Sequence, residues 1–200
     1  MGGMLSRASP FLRSSAMSAD ISPESRGRGR KEDDGFTLVE LLFVVAIIGL
    51  LAAIAVPGLM RGRMAGNEAS AVASMRTITS AQASFQATCG GGGYANSLAD
   101  LALAPAAGES AFISPDLAAA APDGVPKSGY VFVVTGGGTS VLDADDTCNG
   151  AAADTMTGFF TQGDPVGSSA GGRFFGADES GQIRQDSAQL EDMDAGIPLQ

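Results

Sequence analysis

The spacing of apolar positions divides the chain into successive regimes. Residues 1–35 are polar, rich in Ser, Arg and Gly, and carry no apolar period. They read as an unstructured, removable leader, with Met1 or Met17 as the start. Residues 36–56, FTLVELLFVVAIIGLLAAIAV, are almost continuously apolar. As a helix this run is about 31 Å long, enough to cross a bilayer core. Its one charge is Glu40, near the N-terminal end. The run exceeds the ~7–15 apolar residues of a secretory signal, and periodic sequence follows it, so it reads as a retained membrane helix. Leu59, Met60, Met64, Val72, Met75, Ile78 and Phe85 then recur mostly at three- and four-residue steps. This predicts an amphipathic continuation over 57–88, with Arg61, Arg63, Asn67, Glu68, Arg76 and Gln82 on the other faces. Gly90 to Gly93 should end the helix near Cys89.

Beyond the helix the period changes. Residues 96–103, NSLADLAL, read as a short helix capped by Asn96 or Ser97. Residues 104–128 are rich in Ala, Pro and Gly and read as mostly loop. GYVFVVT (129–135), TGFFTQ (157–162) and RFFGA (173–177) are β-branched or aromatic and predict strands. Asp178-Glu179-Ser180-Gly181 predicts a turn, making 173–185 a hairpin, and the acidic tail 186–200 reads as frayed. In each pair Phe159-Phe160 and Phe174-Phe175, one ring should enter the core and the other, on the opposite face, should meet the helix or a neighbouring subunit. The class is α+β: a long helix on a small antiparallel sheet.

Charge and composition narrow the function. From Phe36 onward, 17 acidic residues face six basic ones. That balance disfavours nucleic-acid binding, which needs Lys and Arg to displace counterions. The absence of His excludes Ser-His and Cys-His catalysis and His-ligated metals. No carboxylate pair has a distinctive hydrolase spacing, and no catalytic residue is assigned. The Gly runs at 90–93 and 136–138 lack a phosphate loop's strand-to-helix context. Cys89 and Cys148 both follow the apolar run. Export would join them in a disulfide, the alternative being two buried thiols. The basic cluster at 26–31 favours an N-terminus-in orientation, while Arg61 and Arg63 argue the other way.

The segment Gly35-Phe36-Thr37-Leu38-Val39-Glu40, directly before the membrane-length run, resembles the processing site of the type IV prepilin family, which includes type II secretion pseudopilins. The resemblance implies cleavage between Gly35 and Phe36 by a prepilin peptidase and methylation of the new Phe36 amine. Gly35, without a Cβ, admits a protease close to the backbone. A carboxylate inside an apolar run costs several kcal/mol unless paired, and in a filament Glu40 would pair with the Phe36 amine of a neighbour. Gly49 and Pro57 stand where pilins of this family often carry Gly and Pro, which implies a helix able to loosen between them. The sequence departs from the family at Glu32, Asp33 and Asp34, which separate the basic cluster from Gly35. GYVFVVT, GFFTQGDPV and RFFGADESGQIR look like the sheet of short pilins.

The resemblance divides the chain into a leader (1–35), a membrane and filament-core helix (36–57), an amphipathic helix (58–89) and a head (90–200). The head comprises loops at 90–128, a sheet at 129–185 and the tail. The implied life history starts in the inner membrane, among lipid, with the head in the periplasm. The subunit then joins other pilin subunits in a cell-surface pilus, through the inner-membrane assembly machinery. A periplasmic pseudopilus is the alternative, and a DNA- or ligand-binding minor pilin a third. Pseudopilins bind calcium in their C-terminal loops, which makes Asp143, Asp145 and Asp146, with Asn149, calcium candidates; a solvated acidic loop is the plainer reading. No other cofactor is expected.

Overall fold

The computed structural model describes residues 35–192 and 194–199. The leader up to position 34, including Glu32, Asp33 and Asp34, lies outside them. Contacts divide the chain into two units that meet between Phe43 and Val44. In the first unit, Gly35–Thr37 are extended and helix α1 (Leu38–Thr88) begins. In the second, α1 continues to Thr88 through Gly49 and Pro57.

The buried positions of α1 follow one stripe. Glu68, Ala71, Met75, Ile78, Gln82 and Phe85 succeed one another at steps of three and four, and Cys89 follows after one more step. Residues at that spacing share one helix face. Two sequence expectations are corrected here. Leu59 and Met60 are exposed, so the apolar stripe starts later than the spacing suggested. Glu68 and Gln82 lie within the buried stripe, because each has a backbone group to satisfy. The Gln82 amide donates to the Ala95 carbonyl at 2.8 Å and accepts from the Ala95 N–H at 2.8 Å. The helix stops where Cys89 and Gly90 both donate to the Phe85 carbonyl, each at 2.8 Å, and Gly91 takes φ +61°. Such a left-handed residue is the usual helix terminator, and Gly adopts it without a Cβ clash.

Strands β1 (Tyr130–Leu142), β2 (Thr155–Pro165), β3 (Phe174–Asp178), β4 (Ile183–Asp186) and β5 (Ile197–Pro198) form an antiparallel meander in sequence order. Phe132 pairs with Gly163, Thr161 with Ala177, and Phe175 with Gln185. Alternation puts Tyr130, Phe132, Val134, Phe159, Thr161, Phe175, Ala177 and Ile183 in the buried layer. Phe160 and Phe174 are only half-buried, so each Phe pair splits between faces. At Gly163 a Cβ would lie 3.1 Å from the Phe132 ring and 3.4 Å from the Met75 sulfur, so glycine gives helix and sheet their close approach. Each large apolar side chain buried here contributes about 1.5–3 kcal/mol.

The loop region is more structured than its composition suggested. Ser97 accepts from the Asp100 N–H and caps α2 (Leu98–Leu101), and α3 (Pro115–Ala118) adds a second turn. Leu98, Leu101, Ile113 and Leu117 from these segments are buried. The tail is also corrected. Leu190 is buried, Gln162 donates to its carbonyl, and Gln189 donates to Asp164 at 2.6 Å. The Leu199 N–H reaches the Ile183 carbonyl at 2.8 Å, and β5 extends the sheet. The tail is acidic where it meets water, but Leu190 and Leu199 give it anchors.

Cys89 and Cys148 are joined, closing a loop across 59 positions. Chain entropy for such a loop gives about 4 kcal/mol of stabilisation. Cys89→Ser should therefore lower the melting temperature under non-reducing conditions, and dithiothreitol should bring the wild type to the same value. An unchanged melting curve would show that the bond adds nothing.

Candidate processing and assembly segment

Gly35 is exposed with nothing within 4 Å of its Cβ position, and Phe36 is 77% exposed. Both sides of the Gly35–Phe36 bond are therefore open to an enzyme. Thr37 then caps α1. Its side-chain oxygen accepts the Glu40 N–H at 3.2 Å, and its carbonyl accepts the Leu41 N–H at 3.3 Å. Thr37-x-x-Glu40 thus has the sequence spacing of a capping box, with the Thr half of the exchange formed. The Glu40 carboxylate in the first turn also complements the positive end of the helix dipole. The sequence reading missed this role of Thr37, although the Thr-x-x-Glu spacing just before an apolar run was the available signal.

Every residue from Gly35 to Arg63 is exposed, including Leu38, Leu42, Phe43, Leu50 and Ile54. Among the described residues, α1 is the one helix long and apolar enough to cross a membrane. Apolar surface this extensive marks contact with lipid or protein.

Residues 30–56 match the family model of the prokaryotic N-terminal methylation motif. Over 51 residues the chain is 45% identical to the type IV major pilin protein of Myxococcus xanthus, covering 26% of this chain and 23% of that one. Over 52 residues it is 40% identical to the type IV wide pilus major component of Thermus thermophilus, covering 26% of this chain and 40% of that one. Over part of its length the chain is thus similar to type IV pilins. The chain spans 23% and 40% of the length of these relatives, and no solved structure matches it significantly.

The buried half of α1 is tied to the sheet by a polar clamp. Glu68 is 9% exposed. Its Oε2 accepts from Arg173 Nε at 2.8 Å, and its Oε1 from the Gly172 N–H at 3.0 Å. The Tyr130 hydroxyl donates to the Arg173 carbonyl at 2.9 Å, and the Asn67 amide donates to the Ala170 carbonyl at 2.9 Å. A Cβ at Gly171 would sit 2.1 Å from the Tyr130 hydroxyl, so only glycine fits inside the clamp. Burial alone would raise the Glu68 carboxyl, but the Arg173 guanidinium and the Gly172 N–H outweigh it and hold it below its ordinary 4.5. Burial, and then the Glu68 charge, push the Tyr130 hydroxyl up to about 12. The step of three from Glu68 to Ala71 was the sequence signal that Glu68 belongs to the buried face.

The calcium candidates lie on the segment that follows β1. Asp143 precedes a 3-10 turn at Ala144–Asp146 whose Asp145 and Asp146 are exposed. The Asn149 amide donates to the Asp100 carbonyl at 2.8 Å. Among the described residues, no three acidic or Cys side chains converge as a metal set. Asp100, buried beneath this loop, instead accepts the Ala152 N–H at 2.7 Å and helps to fix the disulfide-closed segment.

The clamp makes a pH-dependent prediction. The folded-state value of Glu68 lies below its unfolded one. Its contribution is therefore complete above about pH 4.5 and fades as the pH falls through the lowered value. Arg173→Ala should cost about 1–3 kcal/mol, because it strips a nearly buried carboxylate of its cation. Thermal melts from pH 7 to pH 3 should show the loss above pH 4.5 and convergence with the wild type below it. A constant gap across that range would mean that Arg173 acts through packing alone.

Proposed function

We propose that this chain is a type IV pilin-like structural subunit. The observation that carries the reading is the placement of Gly35-Phe36 and Glu40 at the head of an exposed, membrane-length apolar helix. The relatives' descriptions as pilus components support it. On this reading a prepilin peptidase removes the leader at the Gly35–Phe36 bond, and the new Phe36 amine is methylated. The apolar half of α1 rests first in the inner membrane, with the head on the periplasmic side. Assembly machinery then draws it into a filament, where it packs against the same helix of other copies.

Glu40 carries the assembly step. A carboxylate is costly among apolar helices unless a cation neutralises it. The Phe36 amine of a neighbouring subunit supplies that cation and sets the axial register. Gly49 and Pro57 ease the local adjustment of α1 during packing, since Pro57 has no N–H to hold the preceding turn. On this reading the chain carries out no reaction of its own.

Mass spectrometry of filaments sheared from cells tests the proposal. An abundant N-terminal peptide beginning at methylated Phe36 is expected. Protein retaining the leader would overturn the processing step, and processed protein confined to the membrane fraction would point to a pseudopilin of a secretion system. Glu40→Ala should leave membrane insertion intact and abolish or strongly reduce filaments, as scored by membrane fractionation and electron microscopy. Normal filament yield in that variant would remove the pairing role.

A further inference from the structure

The cations of the head are already engaged. Lys127 pairs with Asp116, Arg173 with Glu68, and the Arg184 guanidinium donates to the Ala195 and Gly196 carbonyls at 3.3 and 3.0 Å. The other three basic residues after Phe36 are Arg61, Arg63 and Arg76. All three lie on α1, are exposed, and have no side-chain hydrogen bond or ion pair among the described residues. From residue 90 onward the chain carries 15 acidic residues against three basic ones. Most of those carboxylates are exposed, among them Glu109, Asp123, Asp145, Asp146, Glu179 and Glu191. The head is thus strongly anionic, and the free cations stand on its helix.

We infer that Arg61, Arg63 and Arg76 form an assembly surface whose partner is the acidic head of further copies of this chain. The inference rests on the filament reading above and adds a second electrostatic contact to the Phe36–Glu40 pair. At about 100° per residue, Arg61 and Arg76 lie about 60° apart around α1, while Arg63 is about 160° from Arg61. With the stripe from Glu68 to Phe85 between them, Arg63 and the other two arginines flank the sheet-facing surface on opposite sides. Two neighbours are therefore addressed, one on each flank.

Packing anionic heads side by side is unfavourable unless cations intervene, and these arginines are the cations available. Anionic lipid is the competing partner for Arg61 and Arg63, which follow the apolar run closely. It does not account for Arg76, which lies about 30 Å along the helix from Val56, and the anionic head would be repelled by such a surface. The placement also accounts for the arginines that contradict the positive-inside pattern: their partner is protein on the exported side.

Carbodiimide coupling in assembled filaments tests the inference. Arg61→Lys, Arg63→Lys and Arg76→Lys each place a primary amine at the proposed contact and keep the charge. Each filament preparation should give a dimer ladder above the wild-type background. Mass spectrometry should find the new lysine joined to a carboxylate in residues 90–199 of another subunit. Reversal to Glu should weaken assembly by roughly fivefold per position, the upper range for an exposed pair, with circular dichroism showing an unchanged fold. Filaments of all three Glu variants at wild-type yield, or couplings confined to one chain, would overturn the inference. Failure of the Glu variants at membrane insertion would assign the arginines to lipid phosphate instead and also overturn it. A wild-type chain that never assembles would overturn the filament reading beneath it.

Discussion

Met75 sits on α1 where the helix meets the sheet, and much of the head is arranged around that contact. Its sulfur accepts the Thr161 hydroxyl at 4.0 Å and lies under the space left by Gly163, beside the Phe132 ring. Once that position is fixed, helix periodicity carries Ile78 and Phe85 into the same core in one direction and Ala71 in the other. The ends of the stripe are held by polar side chains. Gln82 holds the segment that leaves the helix, and Glu68 holds the loop before β3. Each pays its desolvation through specific partners, so the same groups that would be costly alone fix the register of helix on sheet.

Both halves of α1 are rich in apolar or small residues, yet one is exposed and the other buried. The change comes between Arg63 and Glu68, where half-buried Met64 and Asn67 mark the transition. Before it, apolar side chains on all faces suit a surrounding of lipid or other helices. After it, polar residues such as Arg76, Thr77 and Ser80 face water while one stripe meets the sheet. One helix therefore carries two kinds of surface, and the polar clamps tie the second to the head.

Covalent and polar ties add to apolar burial in holding the loop region. The Cys89–Cys148 bond joins the end of α1 to the segment after β1, and Asp100 reaches from α2 to the same segment. The four-residue helices α2 and α3 would not persist alone, since a single turn does not offset its nucleation cost. They hold because Leu98, Leu101 and Leu117 are buried against the core.

Much of the architecture was legible in local pattern. The apolar run, its continuation to the glycine stop, the β-branched strands and the Asp178–Gly181 turn all follow from periods of 3.6 and 2 and from turn chemistry, which depend on neighbours in sequence. The N-terminal methylation motif over 30–56 was likewise legible, because such a motif is contiguous in sequence. What the sequence could not decide was which polar residues go inside. Glu68 and Gln82 looked like solvent-facing positions until the folded chain brought Arg173, Gly172 and Ala95 to them. Leu190 looked like part of a frayed tail until Gln162 and Gly176 offered it a seat on the sheet. The physical reason is the same in each case: burial of a polar side chain, or ordering of a tail, becomes favourable only when partners distant in sequence supply the hydrogen bonds and apolar contact, and only tertiary structure places them.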